Sequence, residues 1–202
     1  MWGDPKTDTR LKEKLLARAR LLARVRQYFA ELGVTEVITP VLSQSAGTDP
    51  DLEPMYSRYT GPGYAHGLPL YLQTSPEFPM KRLLAAGSGD IYQICQAFRD
   101  GEYGQLHNPE FSVLEWYRLG FDHHQLMGEA VQLVEMCLET ELAVERVSYQ
   151  QLFEDFFHWD PLLAALEQIQ ASAAHEVPGA ANMQLKQRDE WLDLLLTHVI
   201  EQ

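Results

Sequence analysis

The sequence predicts an α+β fold in which an antiparallel sheet is flanked by helices, and three patterns carry that expectation. Residues 109–119 alternate, placing Phe111, Val113, Glu115, Tyr117 and Leu119 on one face and Ser112, Leu114, Trp116 and Arg118 on the other, which is the period of a strand. Residues 91–98 (IYQICQAF) form a second apolar, β-branched and aromatic run, and the intervening residues 100–108 include the turn formers Gly101, Gly104 and Asn108. The two runs therefore read as an antiparallel hairpin with a long loop. Helical periodicity dominates on both sides of it, over residues 11–32 and through much of 123–200.

The first element is an amphipathic helix over residues 11–32 that ends at Gly33, with Leu11, Leu15, Leu22, Val25, Phe29 and Leu32 at spacings of three, four and seven. Its opposite face carries Lys12, Lys14, Arg18, Arg20, Arg24 and Arg26, a pattern that on general grounds is a solvated face. Residues 43–69 are rich in Ser, Gly, Pro and Asp and read as an irregular connection with at most a short hairpin. Residues 70–73 form a strand. A helix follows over residues 78–86, with Ser75 as its cap, Pro76 at its first turn and Glu77 complementing the helix dipole. After the hairpin, helices are expected over 123–142, from the Ser148 cap through Phe157, from the Asp160-Pro161 pair onward, and over 187–200. His123, His124, His158, His175 and His198 show no metal-ligand spacing and read as surface or capping residues.

Composition sets outer limits. At 202 residues, 46% hydrophobic and 22% charged, the chain has the make-up of an ordinary globular protein of one domain or one large piece of a domain. Its formal net charge of −13 opposes broad attraction to a polyanion. No apolar run approaches the roughly 20 residues that span a bilayer, and the polar first ten residues do not resemble a signal peptide, so a cytoplasmic protein without a membrane partner is expected. Cys95 and Cys137 have no CxxC partner and read as reduced, packed side chains.

The chemistry concentrates at the hairpin. A guanidinium at a strand end, as at Arg99, can donate two parallel hydrogen bonds to a phosphate and stabilise charge building there. Phe111 could stack on a purine, while Glu115 and Tyr117 on the same face could hold a cationic group. The plain alternative stays open: an Arg and a Glu on adjacent strands are more often a surface pair, and a strand Phe is more often core.

Residues 98–117, FRDGEYGQLHNPEFSVLEWY, closely resemble motif 2 of class II aminoacyl-tRNA synthetases of the lysyl type. GVTEVITP, ending at Pro40, resembles motif 1, and TSPEFPMKRLLAAG at 74–87 resembles the amino-acid-binding segment of that family. SQSAGTD at 43–49, GPG at 61–63 and VSYQQLF at 147–153 are similar to the elongation factor P lysine ligases, lysyl-tRNA synthetase paralogues that attach β-lysine to a protein.

This resemblance implies ATP-dependent activation of lysine or β-lysine as an adenylate, followed by transfer to a lysine of elongation factor P. By it, Arg99 is catalytic, and Arg99, Asp100, Gly101, His107, Asn108 and Phe111 bind ATP. Ser75, Pro76, Glu77, Glu115 and Tyr117 bind the amino acid. ATP is expected with Mg2+, whose ligands the resemblance assigns to a later part of the family's fold. Residues 10–40 would supply motif 1 and a homodimer interface, 70–119 the substrate segment and motif 2, and 120–202 a helical region. The whole of 1–202 would then be the N-terminal portion of one class II synthetase-like catalytic domain, incomplete at its C-terminal side because no motif 3 block is found. Only about ten residues precede the first helix, so no anticodon-binding domain is expected, which argues against tRNA as substrate. Two departures stand inside motif 2: Gly101 lies where relatives carry Glu, with Glu102 one place later, and Gln105-Leu106 lies where they commonly offer an arginine. A shortened lysyl-tRNA synthetase and a non-catalytic nucleotide-binding or dimerising remnant are the alternatives.

Overall fold

The structure, a computed structural model, describes residues 10–202; of the N-terminal ten residues read above, 1–9 lie outside it. The chain gathers into two compact units, one ending at Leu142 and the other formed by Ala143–Gln202. The first contains α1 (Leu11–Glu31), β1 (Thr35–Glu36), β2 (Leu42–Ser43), β3 (Tyr56–Tyr59), β4 (Leu68–Leu72), α2 (Glu77–Ala85), β5 (Ile91–Phe98), β6 (Glu110–Tyr117) and α3 (His123–Leu138). The second contains α4 (Tyr149–Phe157), α5 (Leu166–Glu176), a 3-10 turn at Ala180–Asn182, and α6 (Arg188–Leu195), which continues as a π-helical turn. The α+β class holds, with mixed helix and small sheets.

β5 and β6 pair antiparallel from Ile91 opposite Tyr117 to Phe98 opposite Glu110. Residues directly opposite in such a ladder share a face, so Phe111, Val113, Glu115 and Tyr117 lie beside Ala97, Cys95, Gln93 and Ile91. The other face, bearing Tyr92, Ile94, Leu114 and Trp116, is the core side: it packs with Val25 and Phe29 of α1 and Leu133 of α3. Phe29, with no exposed surface, stacks on Tyr92 at 4.4 Å between ring centroids. The short β1 joins this sheet in parallel with β5, so the sheet is mixed at that edge rather than antiparallel throughout. A second sheet, β2-β4-β3, is antiparallel and includes the short hairpin expected within 43–69.

Several boundaries differ from expectation for local reasons. α3 stops at Leu138 because Glu139 adopts the left-handed conformation (φ 57), and it begins under a capping box made by Asp122 and Gln125. Asp160-Pro161 opens a turn instead of a helix: Asp160 Oδ1 accepts the Leu162 N–H at 2.7 Å, and α5 waits until the extended Ala165. Ser148 caps α4 as expected, accepting from the Gln151 N–H. The strand expected at 70–73 lies at Leu68–Leu72, and β6 is shorter at both ends than 109–119. In α1 only Val25 and Phe29 are buried, leaving Leu15, Leu16 and Leu21 exposed. Periodicity shows that a helix has an apolar face; it does not show how much of that face is covered. The second unit has its own core, centred on Phe153, Ile169, Ala173 and Leu195. No described helix is long and apolar enough to cross a membrane.

Candidate active site

The hairpin face turned away from α1 is met by the β4–α2 junction. Backbone bonding sets this crossing: the Phe98 N–H donates to the Gln73 carbonyl at 2.9 Å, and the Gln73 amide donates back to the Gln96 carbonyl at 2.9 Å. The chain then delivers Thr74 and Ser75 onto the hairpin.

Ser75 Oγ donates to Glu115 Oε2 at 2.6 Å, and the Tyr117 hydroxyl donates to Glu115 Oε1 at 2.6 Å. One carboxylate thus holds two hydroxyls from segments forty residues apart in sequence. Burial, and then the hydrogen bond and charge of Glu115 with the charge of Glu77, hold the Tyr117 hydroxyl well above the ordinary phenol range, so it stays a donor. Ser75 also accepts the Glu77 N–H at 3.1 Å. It is not the helix cap, however, because Pro76 occupies that position with Ser75 one place earlier. Pro76 itself is fully buried. Glu77 pairs with Lys81 one turn on, at 2.5 Å, in the arrangement that suits the start of a helix.

Arg99 leaves the end of β5 and lies with its guanidinium 5.0 Å from the centre of the Phe111 ring. Its Nε donates to the Thr74 carbonyl at 3.4 Å, and Nη1 pairs with Glu102 at 3.4 Å. Thr74 and Ser75 are neighbours in the chain, so they join the Arg99–Phe111 pair to the Ser75–Glu115–Tyr117 cluster. Gly101 has φ +79, a conformation that disfavours the glutamate expected there; Glu102, one place later, supplies the carboxylate beside Arg99 instead. Asp100 accepts the Gly101 N–H at 2.9 Å, while His107 and Asn108 are exposed at the far end of the loop. The structure therefore brings Ser75, Arg99, Phe111, Glu115 and Tyr117 together and leaves His107 and Asn108 on the loop surface.

Beside this group opens a cleft of about 720 Å³, bounded by Gln73, Thr74, Ser75, Glu77 and Arg82 from one segment and by Ser43, Ser45, Thr48 and Asp49 from another. From their composition, residues 43–69 are expected to be an irregular connection, and nothing in the residue types marks the Thr74 carbonyl. A backbone acceptor has no residue-type signature, so only the nearness of TSPE to the arginine strand could have signalled it. Among the described residues no group of three His, Cys, Asp or Glu side chains converges as a metal site.

Residues 5–189 match the model of the class II tRNA synthetases (D, K and N). The chain belongs to this family. Among curated class II relatives, a protein of Vibrio atlanticus named elongation factor P (R)-beta-lysine ligase is 49% identical over 173 residues, 86% of this chain and 52% of the relative. Proteins of the same name from Pseudoalteromonas translucida and Salmonella gallinarum are 46% and 45% identical, covering 100% and 93% of the chain and 60% and 57% of the relatives. This class II chain spans between half and three-fifths of the length of the relatives it matches.

Proposed function

We propose that this chain is part of an ATP-dependent ligase that activates lysine or β-lysine as an adenylate and transfers it to a lysine side chain of elongation factor P. What carries this reading is the meeting, on one hairpin face, of a phosphate-type guanidinium stacked on an aromatic ring with a hydroxyl–carboxylate–hydroxyl cluster suited to an amine. The names of the relatives, which share most of this chain, point to the same chemistry.

In the first step a carboxylate oxygen of the amino acid attacks the α-phosphorus of ATP, forming the mixed anhydride and releasing pyrophosphate. Arg99 would brace the α-phosphoryl oxygens, Phe111 the purine, and Asp100, Gly101, His107 and Asn108 the remainder of the nucleotide. Ser75 and Tyr117, oriented by Glu115, would accept from the substrate ammonium groups, with Pro76 fixing the turn and Glu77 adding negative charge. In the second step the acceptor amine attacks the activated carbonyl, AMP leaves, and an amide bond forms. Positioning and charge stabilisation suffice, so no enzyme nucleophile is required. Mg2+ would enter with the ATP phosphates and neutralise charge there. A cytoplasmic homodimer formed through residues 10–40 completes the proposal, supported by the exposure of Leu15, Leu16, Leu21 and Ile38.

Pyrophosphate exchange dependent on lysine or β-lysine, followed by mass measurement of elongation factor P, tests the reading. Amino-acid-dependent exchange and a mass increase on the factor support it. No exchange with either amino acid, or transfer to tRNA alone, rejects it.

A further inference from the structure

The structure assigns Gln93, braced by Thr39, a positioning role in the amino-acid site: it holds Glu115 where that carboxylate can orient Ser75 and Tyr117 toward a substrate ammonium group. This rests on the ligase reading above and deepens it with two residues outside the cluster that carries that reading.

Gln93 stands directly opposite Glu115 in the β5–β6 ladder and shares its face. Facing residues in such a ladder have Cβ atoms roughly 5 Å apart, so Gln93 bounds the space in which Glu115 takes up its rotamer. Gln93 is 1% exposed and Thr39 6%. A carboxamide buried this deeply is a costly choice for packing alone, and the buried Ile91 and Ala97 on the same face of β5 show that apolar residues fill this layer. What the amide has and they lack is direction. The Thr39 hydroxyl donates to Gln93 Oε1 at 3.0 Å, which fixes the oxygen toward Thr39 and turns the two amide hydrogens away from it.

Thr39 can hold that oxygen because the backbone is pinned on both sides of it. The Val37 N–H donates to the Tyr92 carbonyl at 2.8 Å, and the Val41 carbonyl accepts the Gln73 N–H at 3.0 Å. Gln73 leads directly into Thr74 and Ser75. Cys95, the next residue along this face of β5, closes the layer: burial raises its thiol, while hydrogen bonds from Gln93 and Gln73 pull the other way and the charge of Glu115 adds to the rise. Thr39, Gln93, Cys95 and Gln73 therefore form one polar chain, running from the segment before Pro40 to the segment that delivers Ser75. Glu115 has little slack against it. Both of its oxygens are committed, to Ser75 and to Tyr117, each at 2.6 Å, so a tilt of the carboxylate weakens at least one of the two bonds that shape the amine site.

Calorimetry of β-lysine and of ATP, each titrated onto the full chain, tests the assignment in wild type, Thr39→Val, Thr39→Ser and Gln93→Met. Thr39→Val keeps the shape and removes the hydroxyl; Thr39→Ser keeps the hydroxyl; Gln93→Met keeps the length and removes the amide. Thr39→Val and Gln93→Met should each weaken β-lysine binding about fivefold to tenfold, the scale of one lost hydrogen bond. Thr39→Ser should stay close to wild type, and ATP affinity should be unchanged in all three. A thermal melt checks that each variant is folded, and if Gln93→Met fails it, the Thr39→Val and Thr39→Ser pair decides. Wild-type β-lysine affinity in Thr39→Val, an equal loss in Thr39→Ser, or parallel losses of β-lysine and ATP binding overturn the positioning role and leave the ligase reading standing. Wild-type chain that binds neither ligand removes that reading and this inference with it.

Discussion

Arg99 is confined on three sides, by the Phe111 ring, the Thr74 carbonyl and Glu102. Its planar fork is thereby oriented before any ligand arrives, which a lysine could not reproduce. Arg99→Lys should weaken ATP binding on the order of tenfold to a hundredfold, the range expected for lost charge-assisted hydrogen bonds, with an unchanged circular dichroism spectrum; calorimetry reads the first and spectroscopy the second. A second residue-scale prediction concerns pH. Tyr92 is buried, and burial together with the hydrogen bond to Glu36 pushes its hydroxyl up to about 12. In the unfolded chain a tyrosine titrates near 10. The folded state thus holds this proton more tightly, and the stability it contributes is complete below about pH 10 and is lost as pH rises toward 12. Urea unfolding of wild type and Tyr92→Phe across that window should show a shallower alkaline decline in the variant. Equal slopes would remove Tyr92 as a cause.

The hairpin depends on an anchor at the end of β6. Arg118 ion-pairs with Asp90, just before β5, at 3.5 Å and with Glu129 of α3 at 3.3 Å, and its guanidinium lies over the Phe121 ring. Asp90 also accepts the Leu119 N–H at 2.7 Å, closing the strand end that carries Tyr117. Glu129 is only 7% exposed, so deleting Arg118 strands a carboxylate away from water. Arg118→Ala should cost about 3–5 kcal/mol of stability, the range for removing one partner of a buried pair, and a thermal melt would detect it. A change below about 1 kcal/mol would mean that the arginine is held by solvent-screened contacts instead.

For the whole molecule, the exposed leucines of α1 and Ile38, 92% exposed just before Pro40, are apolar surface in search of cover. If residues 10–40 form the homodimer interface, Ile38→Asp should convert a dimer to a monomer in analytical ultracentrifugation, because a desolvated carboxylate at a twofold contact is repeated on both subunits. A wild-type monomer at micromolar concentration would refute the interface. The acidic balance of −13 works at this scale too, favouring solubility and basic partners over polyanions.

Period-two alternation, read along residues 109–119, was enough to place Phe111, Glu115 and Tyr117 on one face, because side-chain direction in a strand is a local property. Ordered motifs were likewise sufficient to indicate the family, and the Ser148 cap was legible because capping is chemistry between near neighbours. Helix ends at Glu139 and after Asp160-Pro161 were not, since they follow from backbone conformations that several residue types can adopt. Tertiary structure alone decided that Ser75 reaches Glu115, that the Thr74 carbonyl steadies Arg99, and that Leu106 stays in water. Those contacts join residues far apart in the chain or depend on what covers a surface, and periodicity carries information about neither.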